Sequence, residues 1–216
     1  METFKSDNLV CERFILGPLQ VNTYLVYETG SRQALLIDPA EASANLLDRI
    51  KELDFDDVTI FLTHGHADHI AGVEYFRQQI EDCKVAVSGE DAPMLGDPDL
   101  NLSTWLGDPI SLAPAEIILN DNDSFGPGGQ LLAIPGHTPG GMALVFPGMI
   151  FSGDTLFAGS VGRSDFPGGN GRQMLEAIKT RLFALSDRNV FPGHGPETTL
   201  AEEKAENPFF SAQFPI

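Results

Sequence analysis

The sequence predicts a single α/β domain over residues 1–216, in which each half of the chain supplies part of a sheet sandwich. Short strands and helices mix in both halves, and no low-complexity linker separates them. A length of 216 residues also suits one large domain with a full core better than two.

Residues 10–16, 22–27 and 33–38 read as three strands, divided by turn signals at Gly17-Pro18 and Thr29-Gly30-Ser31. Apolar residues at 46, 47, 50 and 53 give helical spacing to the segment 41–53. Residues 58–62 form a buried strand, rich in β-branched and aromatic side chains, that leads into His64. Helical spacing returns over 69–80, where Ile70, Val73, Phe76 and Ile80 share a face, and 84–87 is another strand. The stretch 89–114 is irregular, with four prolines and the only tryptophan. Shorter strands are expected near 116–119, 130–134, 142–146 and 149–152. Met174, Leu175, Ile178, Leu182 and Leu185 mark a helix, 189–191 a last strand, and 199–206 a short helix stopped by Asn207-Pro208.

All five histidines fall in segments that suit metal ligation. Three lie in His64-Gly65-His66-Ala67-Asp68-His69, between a buried strand and a helix. His64 and His66 converge from an extended segment, Asp68 and His69 come from the next turn, and Gly65 permits a tight backbone between them. His137 sits in Pro135-Gly136-His137-Thr138-Pro139-Gly140, and His194 in Pro192-Gly193-His194-Gly195-Pro196. Asp154, in Ser152-Gly153-Asp154-Thr155, lies between them. Imidazoles and carboxylates suit zinc, iron or manganese, and the lack of thiolates argues against a closed structural zinc site. Seven such donors exceed the four a tetrahedral ion takes, and suit two ions that share a carboxylate, a hydrolytic arrangement.

Composition narrows the partners. Asp and Glu number 31 against 13 Lys and Arg, a formal charge of −18. Such a surface repels phosphate backbones and anionic lipid, so neither nucleic acid nor a membrane is an expected partner. The first eight residues lack a basic region followed by an apolar stretch, and no apolar run is long enough to span a bilayer. With Cys11 and Cys83 isolated and outside ligand spacing, a reducing cytoplasm is the expected compartment.

The pattern H-x-H-x-D-H followed by His137, Asp154 and His194 resembles the metallo-β-lactamase superfamily along essentially the whole chain. Residues 153–159 and 192–196 are similar to short proteins of the hydroxyacylglutathione hydrolase (type II glyoxalase) kind. The resemblance implies an αββα sandwich with two metal ions at one edge, zinc first, iron or manganese as alternatives. It assigns His64, His66 and His137 to one ion, Asp68, His69 and His194 to the other, and Asp154 as the bridge. It further implies a bridging hydroxide that attacks a small acyl thioester such as S-D-lactoylglutathione, with Asp68 orienting it and accepting its proton. Zinc β-lactamases commonly carry cysteine or histidine in place of this aspartate, which points away from lactam hydrolysis.

Two departures bear on substrate. The C-terminal helical domain that helps full-length type II glyoxalases hold glutathione is not expected in the stretch from His194 to residue 216, and Arg163 and Asp165 stand where they carry lysine and tyrosine. Arg163 could hold a substrate carboxylate bidentately or form a structural ion pair. Residues 89–114 could form a lid or a surface excursion packed on the sheet. A second activity class shares the resemblance: persulfide dioxygenases carry a Gly-Arg-x-Asp-Phe segment like 162–166 and a Glu-Glu-Lys…Asn-Pro ending like 202–208. They would hold one iron with His64, His137 and Asp154. A flavin-partnered diiron reductase is disfavoured by His66 in place of a glutamate, and an RNA-processing nuclease by the charge of −18.

Overall fold

A computed structural model describes residues 1–211 as two compact units that divide after Leu119. The first is built on a seven-stranded sheet whose strands lie in sequence order: β1 (Glu2–Ser6), β2 (Leu9–Leu16), β3 (Val21–Glu28), β4 (Gln33–Ile37), β5 (Asp57–Phe61), β6 (Lys84–Ser88) and β7 (Ile117–Leu119). The first four pair antiparallel, and β4 to β7 pair parallel. Parallel neighbours need crossovers, and each of the three here contains helix. Helix α1 (Ala44–Glu52) starts at Ser43, whose hydroxyl caps Leu46 N at 3.3 Å, and buries Leu46, Leu47 and Ile50. Those side chains join Leu25, Leu36, Ile60, Val85, Val73 and Phe76 in one apolar core.

The helix expected over 69–80 is broken in two, α2 (Ala67–Ile70) and α3 (Val73–Gln79). The break falls at Gly72, whose amide donates to Pro39 O at 2.8 Å. A Cβ there would lie 2.6 Å from Glu41 O, so no larger residue allows this approach. Strand β1, absent from the sequence reading, is a polar edge strand without the apolar alternation that marks a buried one. The segment 116–119, expected as a short strand, closes this first sheet as β7.

The second unit carries a six-stranded sheet in the order β15-β14-β11-β10-β9-β8. Its strands are β8 (Ser124–Phe125), β9 (Gly129–Ala133), β10 (Met142–Val145), β11 (Met149–Gly153), β14 (Asn189–Pro192) and β15 (Thr198–Thr199). A small hairpin, β12 (Leu156–Phe157) with β13 (Ser160–Val161), stands apart from it. Strands β11 and β14 pair parallel, so Gly153 and Pro192 end side by side, one residue before Asp154 and two before His194. Helix α5 (Gly171–Ala177) continues as a π-helical stretch over Ile178–Leu182, and α6 (Leu200–Glu206) follows β15. Met174, Ile178, Leu182 and Leu200 pack with Ile134, Ala143, Ile150 and Val190. Among the described residues no helix is long and apolar enough to cross a membrane.

Candidate metal centre

In the first unit the ligand loop leaves the end of β5 under the control of Asp38. This residue follows β4 in a left-handed conformation, φ 47°, which an aspartate tolerates better than most residues. Its Oδ1 accepts from Thr63 N at 2.8 Å, and its Oδ2 accepts from Thr63 Oγ1 at 2.6 Å and from His69 Nδ1 at 2.9 Å. The Thr63 hydroxyl in turn accepts from His64 Nδ1 at 3.0 Å. One buried carboxylate thus holds two imidazoles through their Nδ1 protons, which leaves Nε2 of each available to a metal ion. Ligand atoms of Asp38, His64 and His69 lie within 4.8 Å of one another.

His66 stands at the start of α2, its ring perpendicular to that of His64 with centroids 4.8 Å apart. Ala67 N donates to Asn101 O at 2.8 Å, and Gly65 N donates to Asp91 Oδ2 at 3.2 Å. A Cβ at Gly65 would sit 2.6 Å from Met94 Cβ, so this glycine serves close packing. The stretch 89–114 therefore braces the ligand loop from behind: Asp91, Met94 and Asn101 are buried, and Asn101 Nδ2 donates to Met94 O and Ile110 O. Beyond them Trp105, in the short helix α4 (Ser103–Leu106), is 64% exposed. Asp68 Oδ2 lies 3.7 Å from His69 Nε2, and its side chain is the most exposed of the four loop donors at 21%.

The second unit holds three donors. His137 lies in the β9–β10 loop, where Gly136 takes φ 134° and approaches Met174 so closely that a Cβ would come within 2.4 Å. Its Nδ1 donates to Arg163 O at 2.7 Å, so here too Nε2 is the outward nitrogen. Asp154 and His194 follow β11 and β14, which Gly193 N joins by donating to Gly153 O at 2.9 Å. Asp154 Oδ2 lies 3.5 Å from His194 Nε2 and 3.8 Å from His137 Nε2.

These spacings test the fit to metal. Separations of 3.5, 3.7 and 3.8 Å exceed ordinary hydrogen-bond lengths. Two donors each about 2.1 Å from a shared tetrahedral ion lie about 3.4 Å apart. The donor set, imidazole and carboxylate without thiolate, fits zinc, iron or manganese.

Arg163 forms the ion pair that the sequence left open. Its Nε and Nη2 donate to Asp165 Oδ1 and Oδ2, each at 2.9 Å, and its guanidinium lies 4.2 Å from the centroid of the Phe166 ring. The pair holds the Asp165 carboxyl below its usual range, on a surface where both side chains are well exposed. Sequence reasoning missed Asp38, Thr63 and Asp91. The signal for Asp38 was an acidic residue directly ending an apolar strand, in Leu35-Leu36-Ile37-Asp38-Pro39.

Comparison with known proteins sets these two ligand groups in a family. The hydroxyacylglutathione hydrolase GloC of Haemophilus influenzae is 34% identical over 207 residues, covering 90% of this chain and 94% of its own. A probable metallo-hydrolase, YqgX of Bacillus subtilis, is 32% identical over 206 residues, with 92% and 96% covered. Among solved structures, the BLEG-1 B3 metallo-β-lactamase matches with a TM-score of 0.87 at 34% identity, covering 94% of this chain and all of its own. The di-iron-bound form of TTHA1623 matches at 0.81 and 37% identity (92% and 99% covered), and ETHE1 from Myxococcus xanthus at 0.73 and 30% (92% and 83%). The metallo-β-lactamase superfamily model matches residues 16–194, from the end of β2 to the last candidate ligand. With that span, these relatives and the histidine–aspartate donors in both units, the chain belongs to the metallo-β-lactamase superfamily and has its fold.

Proposed function

We propose that this metallo-hydrolase cleaves a small acyl thioester, with S-D-lactoylglutathione the first to test, at a binuclear centre. His64, His66 and His137 would hold one ion, Asp68, His69 and His194 the second, and Asp154 would bridge them, so that residues 1–216 act as one domain. The observation that carries this reading is the placement of Asp154 Oδ2 at ligand-sharing distance from both His137 and His194. Zinc is the proposed metal, with iron or manganese as the alternatives. Bound ions would lower the pKa of water toward neutrality and polarise a carbonyl oxygen.

The chain's own residues do the rest. Asp68, the most exposed loop donor, orients the attacking water and takes its proton. His64, His69 and His137 have Nδ1 committed to Thr63, Asp38 and Arg163 O, so they are poor candidates for a separate base. A thioester suits this inventory, because a thiolate leaves with little help from a general acid. Arg163 would grip a substrate carboxylate by exchanging it for Asp165, since an ion pair this exposed is held only weakly. The name of the relative GloC supports the thioester class, and the free Cys11 and Cys83 suit a reducing compartment such as the cytoplasm.

Similarity to ETHE1 favours a second reading, persulfide oxygenation at a single iron held by His64, His137 and Asp154. Steady-state kinetics of metal-loaded protein separate the two. Thioester turnover is expected, with a weak KM for glutathione thioesters that Arg163→Ala raises severalfold while kcat changes less. Absence of thioester cleavage, with oxygen consumed on adding glutathione persulfide, would overturn the proposal.

A further inference from the structure

Helix α6 carries a buried carboxylate for which the chemistry above has no use. Glu203 is 2% exposed. Gly159 N donates to its Oε1 and Oε2 at 3.1 and 3.0 Å, Thr198 Oγ1 to Oε1 at 2.7 Å, and Asn207 Nδ2 to Oε2 at 2.7 Å. Asn207 Nδ2 also donates to Ser160 O at 3.0 Å. A carboxylate is costly to bury unless donors converge on it, and these donors come from three separate segments.

Two of the bonds end on the turn of the β12–β13 hairpin, where Gly159 takes φ 66°. That hairpin spans the chain between Asp154 and Arg163 and touches every candidate ligand of the second unit. At its base Gly162 N donates to Thr155 O, and Gly162 packs so tightly that a Cβ would lie 1.8 Å from Asp154 O. Directly after it, Arg163 O accepts the Nδ1 proton of His137. From β12, the Phe157 ring meets the His194 ring edge to face with centroids 6.4 Å apart.

We infer that Glu203, with Asn207, is a positioning latch: it fixes the hairpin turn, and through the hairpin it sets how Asp154, His137 and His194 converge. The inference goes beyond the thioesterase reading, and rests on that reading only for the identity of the three residues as metal ligands. It makes the stretch after the last ligand part of the centre's scaffold. A helix that merely completed the core would need neither a buried carboxylate nor an amide aimed at this turn.

The test compares Glu203→Ala and Asn207→Ala with Thr199→Ala, a control on the same helix. Thr199 Oγ1 caps α6 by accepting from Glu202 N at 3.1 Å, so its loss should weaken the helix start without touching the hairpin. In metal-free protein, amide hydrogen exchange over 155–163 should accelerate in Glu203→Ala and Asn207→Ala and stay at the wild-type rate in Thr199→Ala. Cobalt(II) titration should show about tenfold weaker affinity in the first two variants alone, the lower end of the range for residues behind metal ligands. Unchanged exchange in the hairpin would overturn the latch, and so would faster exchange with cobalt affinity equal to the control's. Should Glu203→Ala fail to fold, Asn207→Ala carries both readouts. Wild-type protein that bound no cobalt would sink the metal assignment, while the exchange arm would still decide the latch.

Discussion

Asp38 accepts hydrogen bonds from Thr63 and His69 at once, and through the Thr63 hydroxyl it also governs His64. Without it both rings could rotate and present the wrong nitrogen. Asp38→Ala is therefore expected to weaken zinc or cobalt affinity by about 10–100-fold, the usual cost of losing a partner behind a metal ligand. A titration showing wild-type affinity would remove Asp38 from the account. The candidate ligands were legible in the sequence because their chemistry is local: H-x-H-x-D-H places four donors within six residues. Asp38 was not, since the histidine it orients lies 31 positions away and only strand pairing brings them together. Gly65 was legible as a tight spot, but its reason, the approach of Met94, is a tertiary fact.

Strands and helices with apolar periodicity were read close to their true limits, because half-buried strands and amphipathic helices advertise their buried faces. What escaped was decided by contacts: the polar edge strand β1, the break at Gly72 against Pro39, and the pairing of β7 with β6. A test at this scale concerns the tie between α1 and the first sheet. Glu12 in β2 accepts from Arg49 Nε at 2.8 Å and Nη2 at 2.6 Å, and from the Tyr27 hydroxyl at 2.8 Å. Burial alone would push the Glu12 carboxyl up, but the hydrogen bonds from Arg49 and Tyr27 outweigh it and hold it below its ordinary value. A depressed native pKa gives stabilisation that is full above the ordinary carboxylate range and lost as pH falls through the native value. Glu12→Gln should thus cost about 2 kcal/mol near neutral pH, the scale of hydrogen bonds to a charged group. Urea denaturation across pH should show the two proteins converging in acid; a constant difference down to the acid limit would contradict the assignment.

For the molecule as a whole, the formal charge of −18 opposes the approach of anionic substrates. Added salt screens that field, so kcat/KM for an anionic thioester should rise with ionic strength before levelling off. A steady fall instead would mean that basic groups such as Arg163 dominate the approach. The charge was readable from composition, and the family from the resemblance that the ligand motifs carry in their order along the chain. Substrate was less legible, since it depends on exposed groups such as Arg163 and Asp165 whose pairing can be exchanged. Metal analysis of purified protein tests the proposed binuclear centre bridged by Asp154 most directly. About two equivalents of divalent metal per chain are expected, falling to one or fewer in Asp154→Ala. A single tightly held iron in the wild-type chain, or full metal content in Asp154→Ala, would contradict it.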